Sequence, residues 1–218
     1  VPGLGKLLAA LLLQDPRELA LEAAIDLRPP FFEHPKFSAL QADFRGEETA
    51  ALLQQHDALL HMAYVVLRGR MAAAAMHDIN VGASLKLLQA AQAAGLQRII
   101  HLSSAAVYGS GRDLDENVPL KPLRGFRYGQ HKAELERQLE HAVPQCLRLR
   151  PHVILGPHAQ PVLRQILGLP LYLRLDDPQP ELQCVHEDDV ADAVVAGLLR
   201  EVSGPCNLAA GGSWTLRE

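Results

Sequence analysis

Tyr128 and Lys132 stand four residues apart, in Tyr128-Gly129-Gln130-His131-Lys132. Residues i and i+4 share one face of an α-helix, so a phenol and an ammonium would lie side by side. A free phenol titrates near ~10, too high to serve as a base at neutral pH. A close positive charge favours the phenolate and lowers that value toward the working range. The pair is a candidate general acid/base, and the same ammonium can donate hydrogen bonds to a ribose. Tyr-x-x-x-Lys is common by chance, and it gains weight from what stands upstream: His101-Leu102-Ser103-Ser104-Ala105-Ala106-Val107-Tyr108-Gly109. There an apolar strand runs into two serines and a turn. Ligands of open α/β sheets sit outside the carboxyl ends of the strands. A serine hydroxyl at that place would hydrogen-bond a substrate oxygen while Tyr128 takes or gives its proton.

Two further features suit a phosphate-linked ribose. Gly3-Leu4-Gly5 precedes a helical run of Leu7, Leu8, Leu11 and Leu12. Glycines let a backbone approach a pyrophosphate, and a helix N-terminus offers N–H donors and a positive dipole end. A full G-x-x-G-x-x-G cannot be laid on the segment, because its first glycine is absent and its last spacing is one short. An ordinary glycine turn is the equal alternative. Asp26 follows about 20 residues later at the end of an apolar run, where a carboxylate can take both hydroxyls of an adenosine ribose. It would repel a 2′-phosphate, which favours NAD over NADP. Arg28 can receive that phosphate and keeps NADP open. The alternative for Asp26 is a strand-end turn residue.

The elements that would position these groups alternate. The reading has a helix over Leu7–Leu12, stopped by Asp15-Pro16, then strands at Leu19–Ile25 and Phe37–Gln41. A helix at Thr49–Gln55 and a strand at Ala58–Ala63 come next. A long Ala/Leu helical stretch from Arg70 to Ala94, in two pieces, stops at Gly95. A strand at Arg98–Ser103, a helix at Arg127–His141 and a strand at Cys146–Arg150 follow. Another strand is read at Leu182–Val185, then a helix with Asp189 as N-cap. Continuous apolar strands between helices imply a parallel sheet covered on both faces. The fold class is therefore α/β, a Rossmann-type doubly wound parallel sheet with a small C-terminal substrate lobe. Prolines thicken after Gly156, which divides the chain into a dinucleotide-binding domain at 1–156 and a small lobe at 157–218 interleaved with the last sheet elements.

Composition removes other classes. The 218 residues are 48% hydrophobic and 21% charged, enough to bury a core. Mean hydropathy is +0.01, and no apolar run is long enough to span a bilayer, so no membrane is expected. A net charge of −4 offers no footprint for nucleic acid. Cys146, Cys184 and Cys206 are odd in number and widely spaced, which suits a reducing, cytoplasmic compartment rather than a disulfide framework. Ten histidines show no metal-ligand spacing. His61 and His101 fall in buried strands and read as core histidines. His131 reads as surface, and Trp214 as packing. His152 and His158 flank the expected substrate cleft. The chain starts Val1-Pro2-Gly3, without Met, and is expected to be trimmed.

Seven stretches in order resemble the extended short-chain dehydrogenase/reductase superfamily, specifically the NAD-dependent epimerase/dehydratase family. They are Ala39-Leu40-Gln41-Ala42-Asp43-Phe44, Asp57-Ala58-Leu59-Leu60-His61-Met62-Ala63, Asn80-Val81-Gly82-Ala83-Ser84, Ser103 to Gly109, Tyr128-x-x-x-Lys132, Leu149 to Pro157, and Val185 to Ala191. The resemblance implies Tyr128 as general acid/base, Lys132 as its tuner and holder of the nicotinamide ribose, and Ser104 as the catalytic hydroxyl. It places Asp43 and Phe44 at the adenine, Ala63 along the cofactor cleft, and Asn80 as a structural or cofactor-side polar residue. Asp189 would cap a helix. The implied activity is NAD-dependent hydride transfer, with a nucleotide sugar as the leading substrate and Arg164 and Arg174 as candidates for its diphosphate. The alternatives are a dehydrogenase or reductase of a non-nucleotide carbonyl or sugar acid, and a non-catalytic dinucleotide-binding protein. Ala105 and Ala106 stand where 4,6-dehydratases of the family carry Asp-Glu, which argues against water elimination. A homodimer through Ser84–Ala94 and Tyr128–His141 is expected.

Overall fold

A computed structural model describes residues 23–27, 38–66, 71–157 and 181–215. The glycines Gly3 and Gly5, the Leu7–Leu12 helix, Arg28, His158, Arg164 and Arg174 lie outside the described residues.

Strands β1 (Ala23–Asp26) and β2 (Ser38–Gln41) pair in parallel. Strands β3 (Ala58–His61), β4 (Arg98–Leu102), β5 (Leu147–Pro151) and β9 (Gly204–Leu208) form a four-stranded parallel sheet in the order β3-β4-β5-β9. Each crossover between β3, β4 and β5 is helical. Helix α1 (Glu47–Leu53) precedes β3. Then α2 (Ala73–His77), a π-helical turn (Asp78–Ala83) and α3 (Ser84–Ala93) lead into β4. A 3-10 turn (Ala105–Val107) and α4 (Arg127–Ala142) connect β4 to β5. Strands β6 (Val153–Leu155) and β8 (Cys184–His186) pair in parallel, and β7 (Glu181–Leu182) pairs antiparallel with β10 (Trp214–Thr215). Helix α5 (Glu187–Leu199) follows β8.

Strand β4 is buried along Ile99, Ile100, His101 and Leu102, the mark of a strand covered on both faces. Its alternate residues separate two cores. Ile100 and Leu102, with Leu147 and Leu149 of β5, pack on Val190, Ala191 and Val194 of α5. Ile99, with Cys146, packs on Leu88 and Ala91 of α3 and on Leu135 and Leu139 of α4. The period of two therefore aims His101, Arg148 and Arg150 at α4, where a polar column runs through the second core.

Four differences from the sequence reading have physical reasons. The long Ala/Leu stretch is one run of α2, π-helical turn and α3, so the two pieces are joined by a bulge rather than a break. Helix α5 starts at Glu187, and its N-cap is His186, whose Nδ1 accepts from the Asp188 N–H at 3.3 Å. Asp189 lies inside the first turn, where with Glu187 and Asp188 it complements the helix dipole. Strand β9 has the sequence Gly-Pro-Cys-Asn-Leu, poor in strand formers, and only its pairing with β5 makes it a strand. Trp214 is 58% exposed and does not pack in a core. All three cysteines are free thiols. No helix among the described residues is long and apolar enough to cross a membrane, and no metal-ligating cluster occurs among them.

Candidate active site

Past Leu102 the chain leaves β4 but keeps its register with β5: the Ser103 N–H donates to Leu149 O at 2.7 Å. Ser104 is extended and caps the 3-10 turn, its Oγ accepting from the Ala106 N–H at 3.2 Å. Tyr108 closes that turn and donates to Asn207 Oδ1 at 2.8 Å. Helix α4 then lies against it. A Cβ on Gly129 would stand 2.7 Å from Ala106 O, so only glycine permits this approach. The close approach brings Tyr128, in the first turn of α4, beside the Ser104 hydroxyl.

Lys132 lies one turn further on and is buried. Its Nζ donates to Leu102 O at 2.6 Å, lies 3.4 Å from His101 Nε2, and sits 3.9 Å from the centroid of the Tyr64 ring. Burial lowers its proton affinity to about 7, with Glu136 pulling the other way. Burial raises the Tyr128 phenol, and the neighbouring Ser104 hydroxyl opposes that rise. The direction expected from a neighbouring ammonium is thus not the net one. Tyr64 contacts both partners, and the group that favours the Tyr128 phenolate is Ser104.

Tyr64 escaped the sequence reading, although it follows the Ala63 motif directly. Its ring meets Tyr128 edge-on, with centroids 5.3 Å apart, and its hydroxyl donates to Tyr128 O at 3.2 Å. Asn80 secures this segment. Its Oδ1 accepts from the Val65 N–H at 2.8 Å, and its Nδ2 donates to Val65 O at 2.9 Å. Asn80 Nδ2 also lies 3.3 Å from His131 Nδ1. His131 is therefore buried, against the surface position expected, because Asn80 and the His77 ring fill the space beside α4.

The remaining cofactor candidates lie at the carboxyl ends of the parallel strands. Asp26 ends β1, with its side chain exposed and its carbonyl accepting from the Ala42 N–H at 3.1 Å. Asp43 follows β2, and Arg45 grips its carboxylate through Nε at 2.9 Å and NH2 at 2.6 Å, holding its pKa below the usual range. The Phe44 ring meets His61 edge-on at 5.8 Å. Ala63 is exposed just beyond β3. The exposed Asp26 carboxylate at β1 is an acceptor and the buried Lys132 ammonium behind β4 a donor, the two kinds of group that ribose hydroxyls can pair with.

A parallel sheet with a serine, a tyrosine and a lysine gathered at its strand ends defines a Rossmann-type, nucleotide-linked fold. The chain belongs to the NAD dependent epimerase/dehydratase family, whose model matches residues 4–209, and NAD is the cofactor of that family. It is 27% identical over 225 residues to the uncharacterized protein y4nG of Sinorhizobium fredii (strain NBRC 101917 / NGR234), covering 98% of this chain and 55% of that one. It is 29% identical over 149 residues to a 3 beta-hydroxysteroid dehydrogenase/Delta 5-->4-isomerase of Mycobacterium tuberculosis (strain ATCC 25618 / H37Rv), covering 61% of this chain and 40% of that one. The chain thus spans about half the length, or less, of these relatives. Among solved structures, MoeE5 in complex with UDP-glucuronic acid and NAD matches with a TM-score of 0.81 at 22% identity, over 98% of this chain and 75% of that one. UDP-glucuronic acid 4-epimerase from Bacillus cereus in complex with NAD matches at 0.77 and 20%, over 98% and 77%. These likenesses are of fold.

Proposed function

We propose that this chain is the cofactor-binding and catalytic part of an NAD-dependent oxidoreductase or epimerase that acts on a nucleotide sugar. The observation that carries this reading is the Tyr128 phenol set beside Ser104, one helical turn from the buried Lys132. Tyr128 removes a proton from a substrate hydroxyl, or returns one to a carbonyl, and Ser104 orients that oxygen. Lys132 holds the nicotinamide ribose. Asp26 takes the adenosine ribose, and Asp43, Phe44 and Ala63 line the adenine side. NAD, when bound, supplies the hydride acceptor. Ala105 and Ala106 transfer no proton, so no 4-keto-6-deoxy sugar forms from a nucleotide hexose.

A screen of nucleotide sugars and sugar acids with NAD and NADP tests the reading, following NADH and product stereochemistry together. An inverted sugar without net NADH marks an epimerase, and stoichiometric NADH marks a dehydrogenase. No turnover of any sugar would overturn the substrate class. With Asp26 at the ribose, NAD binds more tightly than NADP, and a titration in the opposite order would transfer that role to Arg28.

A second reading is a dehydrogenase of an apolar, non-nucleotide alcohol. It is favoured by the exposed side chains of Leu123 and Phe126, the latter ring 5.7 Å from Tyr128, and by the likeness to a hydroxysteroid dehydrogenase. A sterol panel in the same assay separates the two.

A further inference from the structure

Behind Lys132 runs an unbroken line of buried polar groups that the proposed chemistry does not use. Lys132 Nζ is 3.4 Å from His101 Nε2. His101 Nδ1 is 2.9 Å from His61 Nδ1, and the two rings meet edge to edge through these atoms, within 22° of parallel and with centroids 5.0 Å apart. His61 Nε2 is 3.4 Å from Ser84 Oγ, whose hydroxyl donates to Ile79 O at 3.1 Å. Lys132, His101, His61 and Ser84 are all buried.

The chemistry of these groups gives the line one direction. An ammonium only donates, and a neutral imidazole has one N–H and one lone pair. Lys132 donating to His101 Nε2 requires the His101 proton to sit on Nδ1. That N–H then donates to His61 Nδ1, which must be bare, so His61 carries its proton on Nε2 and donates to Ser84 Oγ. The serine hydrogen is spent on Ile79 O. Every donor and acceptor along the line is used, as buried polar groups require. Reversal needs Ser84 to give up the Ile79 carbonyl.

We propose that His101 and His61 are positioning residues for Lys132: a one-way hydrogen-bond chain, anchored at Ser84, that turns a lone pair toward the ammonium and fixes it between the Leu102 carbonyl and the Tyr64 ring. This rests on the reading of Lys132 as a site residue. Burial keeps both rings neutral, with His61 down at about 3 and His101 well below its ordinary value, so the lone pair persists across the working range. The groups facing this line are Glu136 from α4, Tyr64 from beyond β3, and Arg148 and the Cys146 thiol from the β5 side.

The test needs neither NAD nor substrate. Nitrogen-15 histidine spectra of the unmodified chain should show His101 as the Nδ1–H tautomer and His61 as the Nε2–H tautomer. The Lys132 Cε signal, one of five lysines and assigned by its loss in Lys132→Met, then reports the titration of the ammonium. His61→Phe does not touch Lys132, yet frees His101 to turn an N–H toward it. It should lower the Lys132 midpoint by roughly one pH unit, the scale of one charge-assisted hydrogen bond. His101→Phe should do the same, and His101→Gln, which keeps an acceptor, should restore it. The opposite tautomers, or a Lys132 midpoint unmoved by His61→Phe, would overturn the chain. Where a variant fails to fold, the tautomers of the unmodified chain decide. Correct tautomers with no turnover of any substrate would instead count against the proposed function.

Discussion

Lys132 is an ammonium buried in a core, and that makes its charge conditional. In the unfolded chain a lysine titrates near ~10.4, whereas burial brings Lys132 to about 7. The unfolded state therefore holds the proton more tightly. Between those values stability rises with pH, and below about 7 the whole penalty is present. Lys132→Met should raise the urea midpoint most at pH 6, and the gain should shrink as pH climbs toward 10. A gain that grows with pH would contradict the burial argument. In the proposed reaction Tyr128 carries the proton transfer, so Tyr128→Phe should cut turnover by at least ~100-fold while leaving NAD affinity, measured by calorimetry, within about twofold.

Between elements, the decisive contact is the seam of α4 with the 3-10 turn. Tyr128 reaches Ser104 because Gly129 lets the helix touch Ala106 O. Gly129→Ala sets a methyl 2.7 Å from that oxygen, and one side must move. The expected loss is about 1–3 kcal/mol of stability, typical of overpacking. Turnover should fall more than stability explains, since the displacement moves Tyr128 away from Ser104. Urea unfolding and steady-state rates on the same sample check both. If turnover and stability stay at the parent values, the seam is looser than described.

Across the whole molecule, Glu136 ties together the elements that carry the site. It lies on α4, accepts from Ser103 Oγ at 2.5 Å beyond β4, and pairs with Arg150 at 2.5 Å and Arg148 at 3.5 Å from β5. All of these groups are buried. Arg150 in turn donates to Tyr108, which reaches Asn207 in β9. Removing one member leaves charges buried without a partner. Glu136→Gln should destabilise the protein by about 3–5 kcal/mol in urea unfolding. A loss under about 1 kcal/mol would show that water replaces the carboxylate.

The order of strands and helices could be read from the chain because burial on two faces leaves short runs without strict polar alternation such as Ile99-Ile100-His101-Leu102, and helices leave a 3.6-residue period. The Tyr128 and Lys132 spacing, and the serines after β4, could be read for the same local reason. Strand β9 was not legible, because Gly204 and Pro205 are weak strand formers that only pairing with β5 makes extended. The buried state of His131, the part played by Tyr64, and the His101–His61 line were not legible either. Each depends on what another segment, distant in sequence, sets against it. Spacing along one helix could say that a phenol and an ammonium share a face. Only the packing of β3, β4 and α4 decided that an aromatic ring lies against both, and that burial, rather than their mutual charge, governs where each one titrates.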